Sequence, residues 1–205
     1  MEIHHLSPVN IQMSQVECFA TLLSQAFHNE PRVAYILPEE VDRRSVLPWF
    51  FRSVAIRASQ LCGEIYTTGT LDGGLWIRPG RESTFARIVQ TEMHAAKFKL
   101  RRSSFRRWIN LMRTHMEGVH RRLAKGPHWF LAALGVRSLN TVKASGALVE
   151  PVLSRADRDR LPCYVEIFHE PFLPFYEECG FEIAGAGQVP RGGPNFWAMI
   201  RPPHG

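Results

Sequence analysis

Apolar residues Val16, Phe19, Leu22, Leu23, Ala26 and Phe27 recur at spacings of three and four, which predicts an amphipathic helix with one face in a core. Ser14 is placed as its N-cap, and Pro31 lies just beyond its end. A second helical stretch runs from about Glu39 to Gln60, and Pro48 inside it predicts a kink or two shorter pieces. Glu64 to Thr70 and Gly74 to Arg78 form two strands around the turn Leu71-Asp72-Gly73, and Pro79-Gly80 stops the second. Residues 82–124 return to helical composition, with an inward stripe of Phe105, Trp108, Ile109, Leu111 and Met112 that Met116 and Val119 extend.

After Gly126-Pro127 the chain changes period. Trp129 to Val136 is an unbroken apolar run bounded by turn residues, the pattern of a strand buried on both faces. A polar loop then leads into a helix from Gly146 to Asp157, with Leu148, Val152, Leu153 and Ala156 on one face. Cys163 to Phe168 is the next strand, and Phe172 to Cys179 a short helix closed by Gly180. Phe181 to Ile183 and Asn195 to Ile200 are the last strands, with Gly185-Ala-Gly187 and Arg191-Gly-Gly-Pro194 in the loop between them. Helices, a hairpin, more helices and an alternating tail make an α/β chain with a mixed sheet covered by helices.

Composition narrows the class. A hydrophobic share of 45% and a charged share of 21% in 205 residues suit one globular core. Met1 to Asn10 has no apolar core of the kind a secretory signal needs, and no stretch approaches the roughly 20 apolar residues of a membrane span. Cys18, Cys62, Cys163 and Cys179 show no Cys-x-x-Cys spacing, so buried thiols are expected rather than disulfides or a zinc site. The expected setting is the cytoplasm, with no membrane partner. His115 and His120 are five apart, on different helix faces, and no metal is expected.

The net charge of +6 is uneven. Residues 97–125 carry ten Lys or Arg against the single acid Glu117, and the remainder is mildly acidic. A solvated helical face is the plain reading, attraction of a phosphorylated ligand the sharper one. No nucleic-acid-binding module accompanies the charge, so nucleic acid is not expected as a partner.

The ordered series His128 to Val136, Ser154-Arg-Ala-Asp157, Leu161-Pro-Cys-Tyr-Val-Glu166 and Pro174-Phe-Tyr-Glu-Glu-Cys-Gly-Phe181 resembles the second half of GNAT acetyltransferases. The tail Gly193-Pro-Asn-Phe-Trp-Ala-Met-Ile-Arg201 is similar to that of their puromycin-acetyltransferase-like branch. The resemblance covers residues 128–201 and implies a single domain: N-terminal helices and hairpin over 1–80, a basic helical insert over 81–126, and a cofactor-side half over 127–201. It also implies acetyl-CoA as cofactor and a small-molecule substrate, in a monomer or homodimer.

In such proteins a glycine-bearing loop opening a helix holds the cofactor pyrophosphate on backbone N–H groups. The matching window here is Thr141-Val-Lys-Ala-Ser-Gly146, where Gly146 fits the pattern and Ala144 replaces a glycine. Lys143, Ala144, Ser145 and Gly146, with Leu134 and Val136 before them, are the implied cofactor contacts. Ile167 and Phe168 replace the usual hydroxyl residues after Glu166, and Phe172 occupies the position of an Asn that bonds the pantetheine arm. Tyr176 matches the tyrosine that protonates the departing thiolate, Glu166 a family glutamate that acts as a base through water or as a structural partner. His128 and His169 flank the cleft strands, each either an acid–base group or a packed or surface histidine, with His128 the catalytic candidate and His169 a substrate contact. Phe27, Tyr35, Trp76, Phe130, Phe168, Phe172 and Trp197 either enrich the cleft with aromatics or pack as core. Three functions fit: a CoA-dependent acyltransferase acting on an amine or hydroxyl, a cofactor-free cyclase or lyase with its groove filled by Phe172, and a non-catalytic module.

Overall fold

The computed structural model describes residues 13–67, 72–96, 100–114, 118–136 and 146–204. Eight α-helices, a 3-10 turn at Glu170–Phe172 and six strands are assigned among them: α1 Met13–Ala26, α2 Pro31–Ile36, α3 Glu40–Leu61, β1 Gly63–Thr67, β2 Gly73–Ile77, α4 Glu82–Ala96, α5 Arg102–Thr114, α6 His120–Leu123, β3 Trp129–Gly135, α7 Gly146–Arg158, β4 Cys163–Ile167, α8 Leu173–Glu178, β5 Glu182–Gln188 and β6 Asn195–Arg201. The strands form one mixed sheet in the order β1-β2-β3-β4-β6-β5. β3 and β4 are parallel, and the other neighbours are antiparallel.

Side-chain alternation sorts the core into two layers. Leu75, Ile77, Phe130, Tyr164 and Phe168 join the apolar faces of α1, α3, α4 and α5 on one side of the sheet. Trp76, Trp129, Leu131, Val165, Ile167 and Met199 meet α7 and α8 on the other. Two close approaches tie the first layer together. A Cβ on Gly73 would stand 2.7 Å from the Phe19 ring, and one on Gly135 2.7 Å from Leu22.

Local chemistry explains several boundaries. The Glu30 carboxylate accepts from Val33 N–H at 2.9 Å and Pro31 opens α2, so its first turn is capped and preset. Gly180, at φ 84°, ends α8, and Phe181 N–H returns to Tyr176 O at 2.9 Å. Where α7 meets β6, Arg201 grips Asp157 through two bonds of 2.7 and 2.8 Å.

Three expectations are corrected. Met13 already lies in α1, so Ser14 sits inside the first turn and is not its cap. α3 runs as one 22-residue helix through Pro48 rather than as two shorter pieces, because packing on α1, α4 and β1 offsets the lost N–H bond. Gly185 and Gly187 belong to β5 rather than to a loop. β5 is an exposed edge strand with a register shift between Ile183 and Gly185, and a Cβ on Gly185 would meet Leu123 at 2.9 Å.

Candidate active site

The central parallel pair is short. β3 and β4 match only at Trp129↔Cys163, Phe130↔Tyr164 and Leu131↔Val165. On its other edge β3 steps from Trp76↔Leu131 to Leu75↔Ala133, which leaves Ala132 bulged. Beyond that bulge the backbone of Ala132, Ala133 and Leu134 has no register partner in β4. A groove of about 170 Å³ opens there, walled by Leu131, Leu134 and Val136 on one side and by Glu166, Ile167 and Tyr176 on the other. Phe27, just past α1, and Arg32, in the first turn of α2, reach its far end.

The groove meets a second cavity of about 150 Å³ on the α1–α5 face. Phe27, Arg32, Ala132, Ala133, Glu166 and Phe168 line both. The deeper walls are apolar, including Phe51, Phe85, Trp108 and Phe130, and Arg32 and Glu166 are the charged residues that line the cavity. The splay is therefore a passage through the sheet from one core layer to the other.

The polar groups beside the passage are tuned by burial. Tyr164 donates to Glu166 Oε1 at 2.7 Å, and burial, with that carboxylate adding to it, pushes the phenol's pKa far above its usual value. Tyr176 packs edge-on against Phe175 and Phe181, at centroid distances of 5.1 and 5.8 Å. Its pKa too is raised, first by burial. His120 stacks on Tyr164 at 4.3 Å, and burial drives its pKa down to about 4. His128 Nδ1 faces Gly126 O at 2.8 Å, and its Nε2 faces His120 Nε2 at 2.8 Å. A carbonyl accepts only, so His128 carries a proton on Nδ1, and one N–H shared between the two rings makes the Nε2···Nε2 hydrogen bond, with Glu82 Oε1 3.7 Å from His128 Nε2.

No family model matches the chain. It is 25% identical over 170 residues to an uncharacterised N-acetyltransferase of Schizosaccharomyces pombe, covering 79% of this chain and 68% of that protein. Its backbone superposes on a histone acetyltransferase HPA2 and related acetyltransferase from Corynebacterium glutamicum with a TM-score of 0.61, 19% identity and coverage of 98% and 96% of the two chains. It also superposes on the polyamine N-acetyltransferase of Drosophila melanogaster, with a TM-score of 0.57, 14% identity and coverage of 94% and 97%. The chain has the GNAT fold.

Within this GNAT fold, Glu166, Tyr176, Leu134, Val136, Phe172 and His169 line the groove, and Phe27 and Phe168 line both spaces. Other expected site residues lie elsewhere. His128 is buried against His120 at the start of β3 and lines neither space. Trp76 is fully buried on the α7 face, its Nε1–H donating to Leu148 O at 3.4 Å. The Tyr35 hydroxyl accepts from Asn110 at 3.3 Å, and Trp197 is half-buried on β6; neither lines the cavities. Gly146 opens α7 with free space around its Cβ position, whereas Lys143, Ala144 and Ser145 lie outside the described residues. His115 and Met116 lie outside them too.

The groove offers a strand edge unpaired with β4 beside largely apolar walls. Sequence reasoning missed Arg32, Tyr164 and the Ala132 bulge. The bulge left no trace, since every residue from Trp129 to Leu134 is apolar and a slipped register has no polar marker. Among the described residues no group of three or more His, Cys, Asp or Glu gathers at metal-binding distance. No helix among them is long and apolar enough to cross a membrane.

Proposed function

We propose that this chain is an acyltransferase moving an acetyl group from acetyl-CoA to the amino group of a small molecule. The passage between β3 and β4 carries the reading, because it lets two reactants meet from opposite faces of the sheet. Its walls supply the required chemistry. When bound, the CoA thioester supplies an activated acyl carbon and a thiolate leaving group. Backbone N–H groups of the free β3 edge polarise a carbonyl seated there. Glu166 accepts a proton from the acceptor's ammonium, directly or through water. Burial keeps Tyr176 protonated at physiological pH, so its hydroxyl stays available to donate toward sulfur. Four free thiols among the described residues suit a reducing compartment such as the cytoplasm.

The cofactor-free alternative requires side chains to fill the groove. Phe172 stands half-buried at its wall, 5.5 Å from the His169 ring, and about 170 Å³ remains beside it. The test is acetyl-CoA binding by calorimetry and thermal shift. At a hundredfold excess over Kd, binding should add about 2.7 kcal/mol of stability. Absence of binding up to millimolar concentration would sink the reading.

A further inference from the structure

The two charged residues at the mouth of the deep cavity have opposite signs and different commitments. Arg32 holds its guanidinium over the Phe168 ring at 4.8 Å and near Phe27 at 5.8 Å. Its Nε is 3.6 Å from Glu30 Oε1, beyond hydrogen-bond length, while Glu30 Oε2 is held by Val33 N–H. Arg32 donates no hydrogen bond among the described residues. A guanidinium seated on two rings with unused hydrogen-bond donors, bordering both the groove and the cavity, is matched to a planar carboxylate. Glu166, across the same mouth, is matched to an ammonium. A carboxylate accepts several hydrogen bonds, so the bond from Tyr164 is compatible with that role.

Behind this pair of charges the cavity is apolar. Its volume of about 150 Å³ equals that of a cavity known to hold benzene, so one ring or a branched chain fits. The deep walls carry no second carboxylate, which disfavours a dication lying along the cavity.

We propose that the acceptor is an α-amino acid with an apolar side chain: its carboxylate on Arg32, its α-amino group beside Glu166, and its side chain in the cavity under α3 and α4. The proposal rests on the acyl-transfer reading for its chemistry. Transfer replaces N–H bonds by one N–acyl bond as the acyl–sulfur bond breaks. Of the two protons that the ammonium loses, one leaves through Glu166 to solvent and one goes to sulfur.

Calorimetry on the whole chain, with and without CoA, tests the site independently of turnover. The probes are L-phenylalanine, 2-phenylethylamine, which lacks the carboxylate, 3-phenylpropionate, which lacks the ammonium, and agmatine, a dication. L-phenylalanine should bind at least tenfold more tightly than each of the others, and acetylation rates should follow the same order. Arg32→Met should weaken L-phenylalanine by 10- to 100-fold and leave 2-phenylethylamine within a few-fold of its wild-type affinity. Val54→Phe, which fills the cavity away from its mouth, should shift preference from phenylalanine to alanine. Should that variant fail to fold, the four-ligand comparison on the wild type decides alone. Equal affinity for L-phenylalanine and 2-phenylethylamine, preference for agmatine, or no amino-acid binding in either state overturns the proposal. Acetyl-CoA binding with agmatine preferred would sink the amino-acid site and keep the transferase. Amino-acid binding without acetyl-CoA binding would support the site and sink the transferase.

Discussion

Tyr176 owes its position to packing and its proposed role to a single atom. Phe175 and Phe181 hold the ring edge-on on both flanks, and neither contact involves the hydroxyl. Tyr176→Phe should therefore fold with wild-type stability and keep its affinity for acetyl-CoA. If the hydroxyl is the proton donor, kcat should fall by roughly 10²-fold, the lower end of the general-acid contribution. Steady-state rates at saturating acetyl-CoA decide it, and an unchanged kcat removes Tyr176 from the chemistry. The sequence pointed to Tyr176 and Glu166 because both sit in ordered motif stretches. It did not point to Arg32, whose significance comes from two rings, Phe27 five residues before it and Phe168 just past the end of β4. Asp157 and Arg201 lie in two of those same motif stretches, but their bond across 44 residues became visible only in three dimensions. Asp157→Asn should cost on the order of 2 kcal/mol, since it leaves the Arg201 charge without its partner. Denaturant midpoints at neutral pH measure it.

Elements were legible where turn residues bounded them. The hairpin of β1 and β2, the apolar β3 and the helix–strand alternation after it were all expected close to their observed limits. β5 was not, because glycines that usually interrupt strands here permit a bulged edge strand to pass over Leu123. The β5–β6 turn makes the positional meaning of glycine testable. Gly193 N–H bonds Val189 O at 3.0 Å, and a Cβ on Gly193 would lie 2.4 Å from the Val189 Cβ and 2.9 Å from its carbonyl oxygen. Gly192 instead has φ 72° and open space around it. Gly192→Ala should cost about 1 kcal/mol through backbone strain alone. Gly193→Ala must force the turn apart, and should cost roughly 2–3 kcal/mol, the scale of overpacking. Thermal unfolding of the two variants side by side separates them; equal losses would mean the close contact at Gly193 relaxes freely. The same element logic explains the bulge at Ala132. It ends the β3–β4 ladder after three residue pairs, so the opening is built into strand register rather than into a mobile loop.

At the scale of the whole molecule, the passage leaves polar groups deep in an apolar layer, and their titration couples stability to pH. His120 is enclosed by Phe130, Tyr164 and His128, with the Glu166 carboxylate nearby. Burial lowers its folded pKa from 6.5 to about 4, against the smaller opposing pull of Glu166. Between those values the unfolded chain binds a proton that the folded chain refuses. Stability is thus fully present above about pH 6.5 and falls as pH drops toward about 4, by about 3 kcal/mol in all. Asp157 acts in a lower window. Hydrogen bonds from Arg201 lower its pKa from 3.8 to about 2, so its contribution is present above 3.8 and is lost as pH falls through 2. The two windows meet without overlapping, and acid unfolding should begin with the histidine. His120→Phe keeps the ring stack on Tyr164 and removes the titration. Urea midpoints at several values between pH 7 and 4.5 should fall steeply for the wild type and stay nearly level for the variant, which starts about 1 kcal/mol lower for its lost hydrogen bond to His128. Parallel slopes in the two proteins would show that the acid sensitivity arises elsewhere, and that His120 takes up its proton without cost to the fold.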